Sequence, residues 1–360
     1  MYPGRHEGGH VNRGLRRFLR RRGATDLEIE NAASGRYLSL LVLDREVAPG
    51  ERRYTIAELA ARGRTDLKTA RAIWRAIGFP DLPDELPAFT DADVATLRSF
   101  LATFANPWVL DWSLDRALSQ ARVVSASLAR IGDAVTDDIA ISFRDARTAD
   151  LDDEQLADLL AERIDFDAIV ELVGHVFRLQ LRAALWRRLA GADPETPGTV
   201  SGAIGFVDLV GFTALSQELD DDEVAALVGR FGELAHDTVV GAGGRIVKTI
   251  GDEVMFVTDV PATAAWIAIR LTERSIGDEL LPETRAGIAS GALVSRDGDY
   301  FGPVVNLASR LTEMARPGTV LASAELGIAV EEDARFRVRR IQARRVRDIG
   351  RVDVCRIERA

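Results

Sequence analysis

Apolar residues before residue 190 recur at helical intervals: Ile56, Leu59 and Ala60; Leu97, Phe100, Leu101 and Phe104; Leu114, Leu118, Ala121 and Val124. Steps of three and four put each group on one helix face, so this half is predicted mostly α. From Phe166 to Leu189 the apolar residues Ile169, Val170, Val173, Phe177, Leu179, Leu181 and Leu185 run on with only Gly174 as a breaker, which predicts a long connecting helix. The Pro- and Gly-rich stretch GADPETPGTVSG, Gly191 to Gly202, follows and marks the main boundary. Beyond it the period switches. GAIGFVDLV reads as a strand, DDDEVAALVGRFGELAHDTVVGAG as a helix and GRIVKTIGDEVMFVT as a tight two-stranded hairpin. The helix PATAAWIAIRLTERS, the strand ETRAGIASGALV, a helix opening at PVVNLASRL, the strand GTVLAS and a final strand pair complete the chain. Strand, helix, hairpin, helix, strand is the split βαβ order of a ferredoxin-like (βαββαβ) domain. The predicted class is α+β, an all-α half followed by this ferredoxin-like half.

Length and composition narrow the function classes. A chain of 360 residues, 47% hydrophobic and 28% charged, is long enough for two domains with their own cores and is not composed like a disordered protein. No apolar run is long enough to predict a membrane span, and the basic N-terminus lacks the apolar segment of a secretory signal. Cys355 is the single cysteine, which excludes an internal disulfide and a cysteine-based metal site and fits a reducing cytoplasm. With 46 basic against 56 acidic residues, the net charge of −10 argues against wholesale nucleic-acid binding but allows a local basic patch. Such a patch exists in residues 1–24, where seven Arg face one Glu; disorder is the common outcome for a charged terminus. This segment could touch anionic lipid, nucleic acid or the stretch from Asp133 to Asp167, whose twelve acidic residues and three Arg read as a solvated helix face.

The candidate chemistry lies after the boundary. Asp208 ends the first strand, in FVDLVGFT, and Asp252 lies just past the turn of the hairpin, in KTIGDEVMF. Neighbouring strands could bring both carboxylates within reach of hard divalent cations; equally, Asp208 could cap a turn and Asp252 form one with Gly251. In GDYFGPVVNLASRLTEM, Pro303 suits a first helical turn, and Asn306 and Arg310, four residues apart, share a helix face away from Leu307, Ala308 and Leu311. That pair reads as an exposed polar face or as a site. Neither a P-loop nor a strand-borne G-x-G-x-x-G is present, and the glycines of VVGAGGRIV read as a helix stop and turn.

Taken together and in order, these motifs resemble the class III nucleotide cyclase catalytic domain from Gly202 to the end. The matching elements are an F-x-D strand end, a K-x-x-x-D hairpin and a V-N-x-A-x-R-L helix. The resemblance implies that Asp208 and Asp252 bind two Mg²⁺ or Mn²⁺ per site, that Asn306 orients the ribose and that Arg310 stabilises charge on the transferring phosphoryl group. It also matches Lys248 and Asp299 to the positions that select adenine, a lysine donating to N1 and an aspartate accepting from the exocyclic amine. Guanine presents the reverse pattern, so ATP is the implied substrate. Arg347 matches the triphosphate-contacting basic residue more loosely, because Arg347-Asp348 stands where the family usually has Lys-Gly. Lys248 and Asp252, four residues apart, must meet opposite ends of ATP. The family resolves this in a homodimer whose two sites are shared between chains.

In the first half, the segment from Tyr54 to Phe100 resembles a MerR-type helix-turn-helix. Its six basic and seven acidic residues between Tyr54 and Arg98, with Asp81, Asp84 and Glu85 in the wing-like stretch, disfavour DNA binding. This half is also similar to the autoinhibitory domains that precede the catalytic domain in some actinobacterial adenylate cyclases. The expected organisation is a basic segment 1–24, a helical regulatory domain 25–164, a linker helix and hinge 165–201 and a cyclase catalytic domain 202–360. His175, the one histidine in the linker helix, is a candidate pH switch if its imidazole is buried. The expected protein is a cytoplasmic, homodimeric adenylate cyclase. The alternative is a DNA-binding regulator with an inactive, nucleotide-sensing cyclase-like domain.

Overall fold

A computed structural model of the chain describes residues 11–104, 113–143, 151–163, 165–191, 199–346 and 349–360. Two compact units divide between Leu181 and Arg182.

The first unit is helical: α1 (Arg13–Arg21), α2 (Asp26–Gly35), α3 (Leu38–Val47), α4 (Ile56–Gly63), α5 (Leu67–Ala76), α6 (Asp91–Phe104), α7 (Leu114–Phe143), α8 (Asp153–Arg163) and the start of α9 (Phe166–Gly191). It holds two cores. Helices α4 to α7 close around Ile56, Leu59, Ile73, Phe89, Leu97 and Leu118, and α1, α2, α3 and α8 around Leu15, Leu19, Ile29, Leu38, Val42 and Leu160. The basic segment, expected to be disordered, is therefore helical from Arg13. Asn12 caps it, Leu15 and Leu19 lie one turn apart and are buried, and the arginines point outward. The acidic stretch is not wholly a solvated face either. Asp153 accepts hydrogen bonds from Leu38 N and Ser39 N, capping α3, which has no side-chain cap of its own. Glu154 and Asp158 bind Asn12. The segment that resembles a helix-turn-helix is α4, a turn and α5. On α5, Arg75 bonds Asp81 at 2.5 Å and Arg71 bonds Asp84, so wing acids neutralise the cations a DNA reader would present.

The second unit contains β1 (Thr199–Leu209), α10 (Phe212–Leu215), α11 (Asp221–Gly241), β2 (Arg245–Ile250), β3 (Glu253–Thr258), α12 (Pro261–Ile276), β4 (Thr284–Arg296), β5 (Asp299–Phe301), α13 (Pro303–Met314), β6 (Val320–Ser323), α14 (Ala324–Val330), β7 (Phe336–Val346) and β8 (Gly350–Arg359). The sheet order is β2-β3-β1-β4-β6-β8-β7, with β5 paired to β4. Its first four strands are the ferredoxin-like arrangement, β1 running antiparallel to both β3 and β4. Alternation along the strands sorts side chains between two layers. Val207, Val254, Ala286 and Ile288 face the core formed with α11 and α12, whereas Ile204, Phe206, Met255, Ala289 and Leu293 face α13.

Close approach sets the position of α13. A Cβ on Gly287 of β4 would fall 2.2 Å from Thr312 N, so only glycine lets the helix backbone lie on the strand. Thr312 Oγ1 then sits 3.3 Å from the Phe206 carbonyl, tying the helix to β1. Asn306 and Arg310 are held on the opposite side of this anchored helix.

Candidate active site

The two aspartates meet where β1 ends against the β2–β3 hairpin. Asp208 pairs in register with Glu253 of β3 and with Arg285 of β4. Ile250 pairs with Glu253, leaving Gly251 and Asp252 as a two-residue turn, and Gly251 takes φ +60°, which a glycine at the first turn position tolerates. Asp252 thus lies in the turn itself rather than just past it, because the ladder closes at Ile250 and Glu253, and its carbonyl accepts from Leu209 N at 3.2 Å.

Like charge crowds this corner. Burial raises the Asp252 carboxyl above its usual value, with the neighbouring Asp208 adding to it. Burial, followed by the charges of Asp208, Asp252 and Glu313, pushes Glu253 up to about 7. Arg285 is the counterweight, donating from Nε at 2.8 Å and Nη2 at 2.6 Å to Asp208 Oδ2. Two crowded carboxylates are a fit for hard divalent cations. The described residues present no group of three or more His, Cys, Asp or Glu able to hold a metal ion. Remaining ligands would come from elsewhere, as is usual for Mg²⁺ beside substrate phosphates.

A second cluster joins β2 to β5. Lys248 Nζ donates to Asp299 Oδ2 at 2.6 Å, and Tyr300 N donates to Asp299 Oδ1 at 2.8 Å. On α13, Pro303 occupies the first turn as its sequence suggested, Asn306 is exposed, and Arg310 Nη1 bonds Glu313 Oε1 at 2.6 Å. Arg347 lies outside the described residues. His175 is exposed on α9, so this chain does not bury it as a pH switch would require.

Sequence reasoning missed Arg285, Glu253 and Glu313. Arg285 and Glu253 flank Asp208 only through strand register, which no local pattern reveals. The β4–β5 hairpin did carry a signal. Asp297 and Gly298 both have positive φ, 54° and 84°, the Asp-Gly preference of a two-residue hairpin turn.

The model for the adenylate and guanylate cyclase catalytic domain matches residues 196–355. A relative named adenylate cyclase from Glutamicibacter nicotianae is 36% identical over 330 residues, 86% of this chain and 79% of that protein. The chain belongs to the adenylate and guanylate cyclase family. An adenylate cyclase of Streptomyces coelicolor is 36% identical over 281 residues, 78% of this chain and 72% of its own. A pH-sensitive adenylate cyclase of Mycobacterium tuberculosis is 31% identical over 340 residues, 89% of this chain and 82% of its own. All three similarities reach beyond the cyclase domain into the helical half. No helix among the described residues is long and apolar enough to cross a membrane.

Proposed function

We propose that this cyclase converts ATP to 3′,5′-cyclic AMP and pyrophosphate in the cytoplasm, as a homodimer with shared sites. The observation that carries the choice of base is the 2.6 Å contact between Lys248 and Asp299. It places one donor and one acceptor side by side, the pattern complementary to adenine N1 and its exocyclic amine. To read the base, the two side chains exchange their mutual bond for bonds to its edge.

Two divalent cations, Mg²⁺ or Mn²⁺, held by Asp208 and Asp252 would neutralise the triphosphate and favour ionisation of the ribose 3′-OH. The 3′-oxygen bonds the α-phosphorus as the bridge to the β-phosphate breaks and pyrophosphate departs. Asn306 orients the ribose. Arg310 exchanges Glu313 for the phosphoryl group and offsets its growing charge. Arg347 contacts the triphosphate. The helical half holds activity down through α9, and the neutralised Arg71 and Arg75 disfavour the reading as a DNA-binding regulator.

The test is an assay of the purified full chain with ATP and with GTP, each with Mg²⁺ or Mn²⁺. Cyclic AMP should form from ATP in preference to cyclic GMP from GTP. Absence of both products, or preference for GTP, overturns the proposal.

A further inference from the structure

Arg245 makes an unusual contact beside the base-reading pair. Its Nη2 donates to the phenol oxygen of Tyr300 at 2.9 Å, and its guanidinium carbon lies 5.4 Å from that ring's centroid. Arg245 precedes Lys248 by three residues, and Tyr300 follows Asp299 directly. The same two segments are therefore joined twice, by Lys248–Asp299 and by Arg245–Tyr300.

The backbone is irregular where this double contact needs it. Residues three apart on a regular strand point to opposite faces. Here the β2–β3 register shifts between Ile246 and Lys248, so that Arg245 lies opposite Val257 and Lys248 opposite Met255. Val257 and Met255 belong to one core layer, against which Tyr300 and Val247 also pack. The bulge at Val247 thus turns Arg245 and Lys248 to the same face. Strand β5 is only three residues long and pairs with β4 alone. Among the described residues, the side-chain bond that ties Asp299 to β2 comes from Lys248, the side chain that must release it to meet the base, and the Arg245–Tyr300 bond is a second tie between the same strands. Tyr300 offers Arg245 a hydroxyl rather than a carboxylate, so the tie fixes the strand without adding a second acid beside Lys248.

We propose that Arg245 and Tyr300 are positioning residues for base recognition: their contact fixes β5 against β2, so that Lys248 and Asp299 stay in register when a purine separates them. This rests on the reading of Lys248 and Asp299 as the base-reading pair.

The test compares Tyr300→Phe, Arg245→Gln, the double variant and Arg245→Lys in the full-length chain. The readouts are kcat and KM for ATP, turnover or inhibition constant for GTP, and Tm. Each of the first two variants should lower the ATP-over-GTP preference roughly 5- to 10-fold, the scale of one ordinary hydrogen bond, with most of the loss in the KM for ATP. The double variant should be no worse than either single one, because both remove the same bond, and Arg245→Lys should restore part of the preference. Tyr300→Phe keeps the ring and its packing, so it remains informative if Arg245→Gln folds poorly. An unchanged preference, or equal loss of kcat with both nucleotides, overturns the proposal as a merely structural contact. Lys248→Ala and Asp299→Ala in the same assay separate the two readings. If they leave the preference intact, base reading itself fails; if they abolish it while the Arg245 and Tyr300 variants do not, only the positioning role fails.

Discussion

Arg285 reaches from β4 to the end of β1 and gives two hydrogen bonds, at 2.8 and 2.6 Å, to a single oxygen of Asp208. The carboxylate assigned to metal binding thus already holds a positive group, and a divalent cation must compete with it. Arg285→Gln should bind Mn²⁺ several-fold more tightly than the parent chain in the absence of nucleotide, as read by paramagnetic resonance titration. A charge-assisted pair of this kind is worth about 1.5–3 kcal/mol when well shielded, and the partial exposure of Arg285 reduces that to about 1. Equal or weaker Mn²⁺ affinity would show that Arg285 does not guard the site.

Glu253, pushed up to about 7, gives the same corner a pH signature in stability. A carboxyl whose folded-state pKa is raised contributes stability that is complete below its unfolded value, near 4.5, and lost as pH climbs through about 7. The metal-free chain should therefore lose Tm from pH 5 to pH 8. Glu253→Gln cannot ionise, so it should match wild type at pH 5 and exceed it at pH 8, and excess Mg²⁺ should raise the wild-type Tm at pH 8. Parallel Tm curves for variant and parent would mean that the crowding around Glu253 has no energetic weight.

If the ion pair of Lys248 and Asp299 reads the base, exchanging the pair changes the base chosen. Lys248→Glu with Asp299→Cys reverses the donor and removes the acceptor, and should lose the ATP preference. Measuring kcat/KM for both nucleotides decides it, since retention of the wild-type ratio would move base selection to other residues.

These aspartates and the lysine were legible because each occupies a position that local pattern reveals: a strand end, a Gly-Asp turn, a step of four before it. Arg285 and Glu253 were not, because they reach Asp208 through the pairing of strands remote in sequence. The ferredoxin-like order followed from alternating periods, whereas the three added strands β6, β8 and β7 extend the sheet beyond it through the parallel pairing of β4 with β6, from Ala286–Val320 to Ile288–Ala322. In the first half, charge misled. An Arg-rich terminus suggested disorder, yet two leucines four residues apart, Leu15 and Leu19, were enough to dock it as a helix.

Helix α9 carries Val170, Leu172, Phe177, Leu185 and Trp186 in exposed positions, an apolar burden that an isolated helix would not keep in water. If it transmits restraint from the helical half, a fragment beginning near Gly198 should be more active than the full chain under conditions that silence the latter. Specific activities that coincide across pH 5.5 to 8, ionic strengths and added lipids would make the first half a passive appendage. Because His175 is exposed on α9, His175→Ala should leave any pH response confined to the full chain unaltered, and a flattened profile would restore that residue as a switch.

The spacing of Lys248 and Asp252 bears on how many chains build one site. Four residues apart on a tight hairpin, they are assigned in the proposed reaction to the base and to the phosphates, which lie at opposite ends of ATP. Two-fold symmetry resolves the conflict if one chain supplies Asp208 and Asp252 while its partner supplies the base-reading pair, Asn306 and Arg310. Asp252→Ala and Arg310→Ala should then each be inactive alone and rescue one another when mixed. With free exchange about half the dimers are mixed, and each has one intact site and one doubly damaged site, so recovery should approach about a quarter of wild-type activity. Exchange must be shown independently, for instance by energy transfer between labelled chains. If exchange proceeds and activity does not return, each chain assembles its site alone, and the ties from Arg310 through Glu313 to Arg285 and Asp208 become the frame of that site.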